Sequence, residues 1–290
     1  MTATARPFRS VLYIPGDKPR ALDKARGLPV DAIIFDLEDA VAVEAKADAR
    51  ATLADALAQG GYGQRFGIVR INGMDSDWGS ADLDAILPAG PQAVLLPKAE
   101  SAAQVEAVAA RLDAVPACAT TQIWTMMETP RGILNAAAIA AAPRMGGFVM
   151  GTNDLAKELR TRFTPDRQPL VTSLQICLLA ARAEGIAIVD GVYNAFKDDD
   201  GLRRECEQGR DMGFDGKTLI HPAQIPVANE IFAPSQDDID LARRQIEAFE
   251  AAEAEGKGVA VVDGKIVENL HIVTARQTLS KAEAIAALES

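Results

Sequence analysis

The chain has 290 residues, 48% hydrophobic and 24% charged, an ordinary globular balance that suits one large domain with an appendage. Lys and Arg number 30 against 41 Asp and Glu, a net charge of −11, which is poor material for neutralising a phosphate backbone, so no nucleic-acid partner is expected. The 3 cysteines, Cys118, Cys177 and Cys206, are too widely spaced for a disulfide framework or zinc site, and no apolar run approaches the roughly 20 residues that span a bilayer, so no membrane role is expected.

The opening run MTATARPFRSVLYIPG lacks the long apolar core and small-residue cleavage site of a signal peptide, which together with reduced thiols makes the cytoplasm the expected compartment. Val11–Ile14 reads as the first strand, followed by a helix around Arg20–Gly27. The segment between them and into the helix carries Lys18, Arg20, Lys24 and Arg26, the best basic cluster of an acidic chain; it reads equally as a solvated helix face or as the place where an anionic ligand meets positive charge. Ala32–Phe35 is the second strand, before a helical stretch over Glu44–Ala58. Phe66–Ile71, Ala93–Leu96, Ile123–Met127, Phe148–Met150, Ile186–Val189 and Lys217–Ile220 continue the series, each followed by helical patterning. Strands of this buried type alternating with amphipathic helices predict a parallel α/β fold, and eight of them predict a closed TIM (β/α)8 barrel over residues 1–234. An open doubly wound sheet is the competing architecture, but no Gly-x-Gly-x-x-Gly turn opens a helix after the first strand.

After Pro234 the pattern changes. Ser235 with Asp237 and Asp238 starts a helix running to about Glu255, Val259–Val267 reads as a hairpin around Asp263-Gly264, and a last helix begins near Asn269. This extension, 235–290, is too small to stand alone and is expected to dock on the barrel or on a neighbouring subunit as a lid.

In such a barrel, chemistry gathers at the C-terminal ends of the strands. Here those ends read Pro15-Gly16-Asp17, Asp36-Leu37-Glu38-Asp39, Arg70-Ile71-Asn72, Pro97-Lys98, Glu128-Thr129, Gly151-Thr152-Asn153-Asp154, Asp190-Gly191 and His221-Pro222. Any one is weak evidence, because loop ends are often polar; their convergence on one rim is the stronger signal. Glu128 and Asp154 end neighbouring strands, and two such carboxylates completed by water and substrate oxygens are how Mg2+ is usually held. His221, before Pro222, reads as a residue that holds a loop rather than a metal ligand.

The runs SVLYIPG, IIFDLEDAV, VRING, LLPKAES, METPRGILN, GTNDLA and GKTLIHPAQ, in this order across nearly the whole chain, resemble the citrate lyase β-subunit-like (HpcH/HpaI aldolase) family, which includes malyl-CoA and citramalyl-CoA lyases. The resemblance implies a Mg2+-dependent barrel, with Mn2+ as the alternative cation, acting on the coenzyme A thioester of a malate-type acid. It implies that Glu128 and Asp154 are metal ligands, that Arg70 binds substrate oxygens and is catalytic, and that the backbone of Gly151, Thr152, Asn153, Asp154 and Leu155 grips a substrate carboxylate. Asp36, Glu38 and Asp39 are expected to stand behind these groups. The phosphates of coenzyme A are expected near Lys18 and Arg20, with the thioester passing Tyr13. The family also implies a homotrimer or homohexamer in which the tail of one subunit covers its neighbour's site. Lyases of the family carry a proton-transferring aspartate in that tail, where this chain carries Glu268, whose extra methylene moves the carboxylate by up to ~1.5 Å. The run VVDGKIVENLHIVTARQTL resembles the (3S)-malyl-CoA thioesterase branch, so hydrolysis is the expected reaction and reversible C–C cleavage the alternative. A pyruvate-dependent aldolase and a non-catalytic subunit of a larger lyase complex are the more distant readings.

Overall fold

A computed structural model describes residues 6–289; residues 1–5, on which part of the leader reading rests, lie outside the described residues. The chain separates into two compact units, Phe8–Asn229 and, among the described residues, 6–7 with 230–289.

In the larger unit eight parallel strands close into a barrel: β1 (Ser10–Pro15), β2 (Ala32–Asp36), β3 (Phe66–Arg70), β4 (Ala93–Leu96), β5 (Gln122–Met127), β6 (Met145–Met150), β7 (Ala187–Asp190) and β8 (Gly216–Leu219). Each strand pairs with the next in sequence, and β8 returns to β1 through the register Ser10↔Lys217, Val11↔Thr218 and Leu12↔Leu219. Helices cover the outside, so the strands are buried on both faces and read as continuous apolar runs; every residue of Ala-Ile-Ile-Phe-Asp in β2 is buried. The expected TIM barrel is the observed one. The largest difference is at β6, which begins at Met145, three residues before the expected Phe148. Gly146 and Gly147 mask that start, because glycine is poor strand material, yet the fold needs them there. The fully buried Trp124 ring lies against Gly147, and a Cβ at that position would sit 2.8 Å from three ring atoms.

Strand side chains alternate between the barrel interior and the helix layer. Val11, Ile34, Ile68 and Met126 belong to the interior cluster. Two residues further along the same strands, the inward position is taken by Tyr13, Asp36, Arg70 and Glu128. The period that builds the core therefore delivers the polar residues to the barrel mouth.

A second charged group lies where the end of β7 meets the start of β8. Asp190 accepts from Arg167 Nη1 at 2.6 and 2.8 Å, and Lys217 Nζ reaches Glu205 at 2.6 Å, the Gly191 carbonyl at 2.6 Å and Asp190 at 3.3 Å. Burial opposes the charge on Lys217, but Asp190 and Glu205 beside it hold its pKa above the usual lysine range.

The smaller unit contains the helix Gln236–Ala254, the antiparallel strands β9 (Ala260–Val262) and β10 (Lys265–Val267), and the helix Asn269–Glu289. Ser235 and Asp238 form a reciprocal cap at the first helix. Asp263 and Gly264 both have positive φ, 51° and 74°, as a tight two-residue hairpin turn requires. Phe249, Ala252, Ala260, Val267 and Ile272 make this unit's own core. Among the described residues no helix is long and apolar enough to cross a membrane. All three cysteines are free and buried, and burial pushes the thiols of Cys177 and Cys206 up to about 12.

Gly147→Ala is expected to destabilise the barrel by about 1–3 kcal/mol, because a methyl group cannot share the space of the Trp124 ring without displacing it. Urea unfolding followed by tryptophan fluorescence measures this as a lower midpoint at unchanged slope.

Candidate active site

The register of β2 and β3 sets Asp36 beside Arg70. Arg70 Nε donates to Asp36 Oδ1 at 2.7 Å and Nη2 to Oδ2 at 2.5 Å, a fork-to-fork pair with both side chains buried. The same carboxylate accepts the backbone N–H groups of Glu38 at 2.8 Å and Ala40 at 3.0 Å. Asp36 is thus saturated, and it fixes both the guanidinium plane and the loop that follows β2. Arg70 Nη1 lies 2.9 Å from Glu38 Oε2 and 3.4 Å from Asp39 Oδ2, while the Tyr13 ring sits under the guanidinium with its centre 4.9 Å away. Burial alone would lower the Arg70 pKa; Tyr13 and Asp36 more than offset that and leave it well above the usual value. Burial also raises the Tyr13 phenol above its normal range, and its hydroxyl donates to the Met126 sulfur at 3.4 Å.

Across the mouth, Glu128 is 1% exposed. Its Oε1 accepts the Lys98 backbone N–H at 2.8 Å, and its Oε2 lies against Gly151, where a Cβ would overlap it. Burial pushes its carboxyl up to about 7; the Lys98 amide counters, and the charges of Glu38 and Asp154 add to the rise. Asp154, half-buried on the first turn of the helix Thr152–Glu158, therefore belongs to the same electrostatic neighbourhood. Thr152 and Leu155 are buried at this turn, whereas the exposed Asn153 side chain exchanges hydrogen bonds of 2.9 and 3.2 Å with Asn194. A cavity of about 420 Å³ opens beside Thr152 and Asn153.

The donor set suits a divalent cation. Among the described residues, five carboxylates (Asp36, Glu38, Asp39, Glu128 and Asp154) are met by the side chains of two cationic residues, Arg70 and Lys98, and neither forms an ion pair with Glu128. Among the described residues no group of three or more His, Cys, Asp or Glu converges on one point, so the candidate set is the pair Glu128 and Asp154. Two carboxylates with the remaining positions left to water and substrate oxygen is the usual protein share of a Mg2+ site.

The structure thus brings Tyr13, Asp36, Glu38, Arg70, Glu128 and Gly151 together. Lys18 and Arg20 are exposed at the start of the helix that follows β1, and Lys18 Nζ pairs with Asp17 at 2.6 Å. Glu268 is in the other unit, exposed just before the helix Asn269–Glu289; its backbone N–H donates to His271 Nδ1 at 3.0 Å. His221 holds its loop as expected, accepting from the Ala223 N–H at 3.1 Å and stacking on Phe196. Two lysines gain functions that sequence reading did not give them. Lys46 donates to the carbonyls of Leu37 and Glu38 at 2.9 and 2.6 Å, stapling the acidic loop. Lys98, noted only as a strand end, donates its ammonium to Glu38 at 2.9 Å as well as its amide to Glu128.

Comparison with known proteins identifies the family. Residues 9–222 match the HpcH/HpaI aldolase/citrate lyase family. A (3S)-malyl-CoA thioesterase of Cereibacter sphaeroides is 65% identical over 290 residues, 100% of each chain. The citrate lyase subunit beta of Escherichia coli is 38% identical, covering 96% of this chain and 94% of that one. The crystal structure of Mycobacterium tuberculosis CitE in complex with magnesium, acetoacetate and coenzyme A matches with a TM-score of 0.78 at 32% identity, over 96% of this chain and 98% of that one. Fold, family match and end-to-end similarity agree, and the chain belongs to the HpcH/HpaI aldolase/citrate lyase family.

Proposed function

We propose that this chain is a Mg2+-dependent enzyme of coenzyme A thioesters that hydrolyses (3S)-malyl-CoA to malate and free coenzyme A. The observation that carries the reading is the Glu128 carboxylate, buried at the barrel mouth with, among the described residues, no basic side chain paired to it and with Asp154 as its electrostatic neighbour. Full-length similarity to the Cereibacter sphaeroides thioesterase supports the substrate, and the magnesium and coenzyme A bound by the Mycobacterium tuberculosis relative support the cofactor and ligand class.

In this reading Glu128 and Asp154 hold the cation, and Mn2+, which takes the same oxygen donors, replaces Mg2+. When bound, the cation supplies positive charge to the α-carboxylate and hydroxyl oxygens of the substrate. The first-turn backbone amides of Thr152, Asn153 and Asp154 receive that carboxylate, whereas those of Gly151 and Leu155, expected to share in this, already donate to the carbonyls of Met127 and Gly151 at 3.2 and 3.0 Å. Arg70 donates to the thioester carbonyl oxygen from Nη2, which keeps a second hydrogen beyond its Asp36 bond. As water adds to the thioester carbon, negative charge develops on that oxygen, and a guanidinium already locked in plane stabilises it without reorganising. Glu268, carried on the 235–290 extension of a neighbouring subunit in a homotrimer or homohexamer, takes a proton from the water. The C–S bond then breaks with its electron pair going to sulfur, which receives that proton from Glu268. Lys18 and Arg20 hold the coenzyme A phosphates, and the thioester passes Tyr13 on the way in. Three buried free thiols suit a cytoplasmic enzyme. The similarity to citrate lyase subunit beta favours one second reading: cleavage of the C–C bond at the same Arg70 donor, releasing acetyl-CoA and glyoxylate.

Purified protein incubated with (3S)-malyl-CoA and Mg2+ is expected to release free thiol and malate; acetyl-CoA and glyoxylate without free thiol would establish the lyase reading instead. Glu128→Gln and Asp154→Asn should each lower kcat/KM by about 100-fold or more and abolish calorimetric Mg2+ binding while leaving the circular dichroism spectrum unchanged. Reversing both charges, Lys18→Glu with Arg20→Glu, should raise KM and flatten its dependence on salt with little change in kcat. Glu268→Gln should cut kcat by ~10²–10⁴ at nearly constant KM. Mixed oligomers of Arg70→Ala and Glu268→Gln chains should recover part of the activity, because one chain's intact barrel then meets the other's intact tail; no recovery would place Glu268 in its own chain's site or outside catalysis.

A further inference from the structure

Lys98 follows β4 with φ of +48°, in the left-handed region that a residue with a branched or long side chain seldom occupies. That conformation holds because two bonds depend on it. The backbone N–H points at Glu128 Oε1, 2.8 Å away, and the ammonium reaches Glu38 Oε1, 2.9 Å away. The other Glu38 oxygen lies 2.9 Å from Arg70 Nη1. One residue therefore ties the carboxylate of the candidate cation site to the carboxylate that leans on Arg70. The two carboxylates sense each other electrostatically, yet among the described residues no third acidic side chain joins a metal-holding group.

Resting on the cation site described above, we propose that Lys98 is a positioning residue that keeps Glu38 turned toward Arg70 and away from Glu128 and Asp154, so that the cation meets two carboxylates and not three. Carboxylate number matters for which cation is preferred. Ca2+ accepts more and looser oxygen ligands than Mg2+, which is held through one or two carboxylates and keeps water in its remaining positions. Removing the ammonium frees Glu38 to turn into the site, adding a ligand that favours Ca2+ and occupies a position the substrate oxygens need. The Lys98 side chain is half-exposed, 52%, so its removal opens no core cavity.

The test is calorimetric titration of the whole protein with MgCl2 and with CaCl2, for the parent chain and for Lys98→Met, Lys98→Gly and Lys98→Arg. Lys98→Met and Lys98→Gly are both expected to raise Ca2+ affinity relative to Mg2+ by about tenfold and to lower kcat with Mg2+ by a similar factor. Glycine adopts the left-handed backbone freely and keeps the amide bond to Glu128, so it separates loss of the ammonium from loss of fold. Lys98→Arg should retain the parent preference. Adding Glu38→Gln to Lys98→Met should restore it, since the third carboxylate is then gone. Unchanged Mg2+ and Ca2+ affinities in both Lys98→Met and Lys98→Gly would overturn the proposal, as would a Ca2+ preference that survives Glu38→Gln. A parent chain that binds neither cation would overturn the cation site itself, a result distinct from the first two.

Discussion

The pairing of Asp36 with Arg70 across β2 and β3 organises the barrel mouth. A guanidinium this deeply buried requires a partner, and removing one member of such a pair leaves an uncompensated charge at a cost of about 3–5 kcal/mol. Asp36 gives Arg70 a fixed plane and simultaneously accepts two backbone N–H groups of the loop that carries Glu38 and Asp39. Lys46 draws the carbonyls of the same loop in from the other side. The acidic loop is therefore built as a rigid continuation of the strand, and Glu38 is held where both Arg70 and Lys98 touch it.

The charged group at β7 and β8 shows what the active mouth is not. There, Asp190 and Glu205 are balanced by Arg167 and Lys217, and each carboxylate bonds directly to a cationic side chain. Such a group stiffens the join between strands and helices and has little charge left to offer a ligand. At the mouth, by contrast, the Glu128 carboxylate has only the Lys98 backbone amide for a bonded partner among the described residues, and burial raises its pKa. Buried acid in two places thus has opposite consequences, decided by whether the chain supplies a cationic side chain that bonds directly to the carboxylate.

Much of this was legible in the sequence because it follows from a period. Strand boundaries follow from short apolar runs, and the residues two positions past the core, Asp36, Arg70 and Glu128, stand out in the sequence as strand ends. The hairpin turn was legible at Asp263-Gly264 because few residue pairs tolerate two positive φ angles. Long side chains were not legible. Lys46 and Lys98 act through the reach of their ammonium groups and, for Lys98, through a backbone angle that no composition or spacing encodes. The start of β6 was hidden for a similar reason: Gly146 and Gly147 look like a turn until Trp124, far away in sequence, is seen to need their space. The basic cluster at Lys18 and Arg20 reads as strongly positive on paper, whereas the neighbouring Asp17 already engages Lys18.

The three buried cysteines make the chain its own clock. Thiolate is the species that reacts with alkylating reagents, and burial keeps Cys177 and Cys206 protonated far beyond neutral pH. All three thiols are also buried away from reagent, so each modification by iodoacetamide is expected to count one excursion in which the packing around a cysteine has opened. Cys118 lies after the helix that follows β4, Cys177 in the helix before β7 and Cys206 in the helix before β8. Mass-resolved labelling at the three positions would therefore time the opening of three separate sectors of one barrel, with no probe added to the molecule.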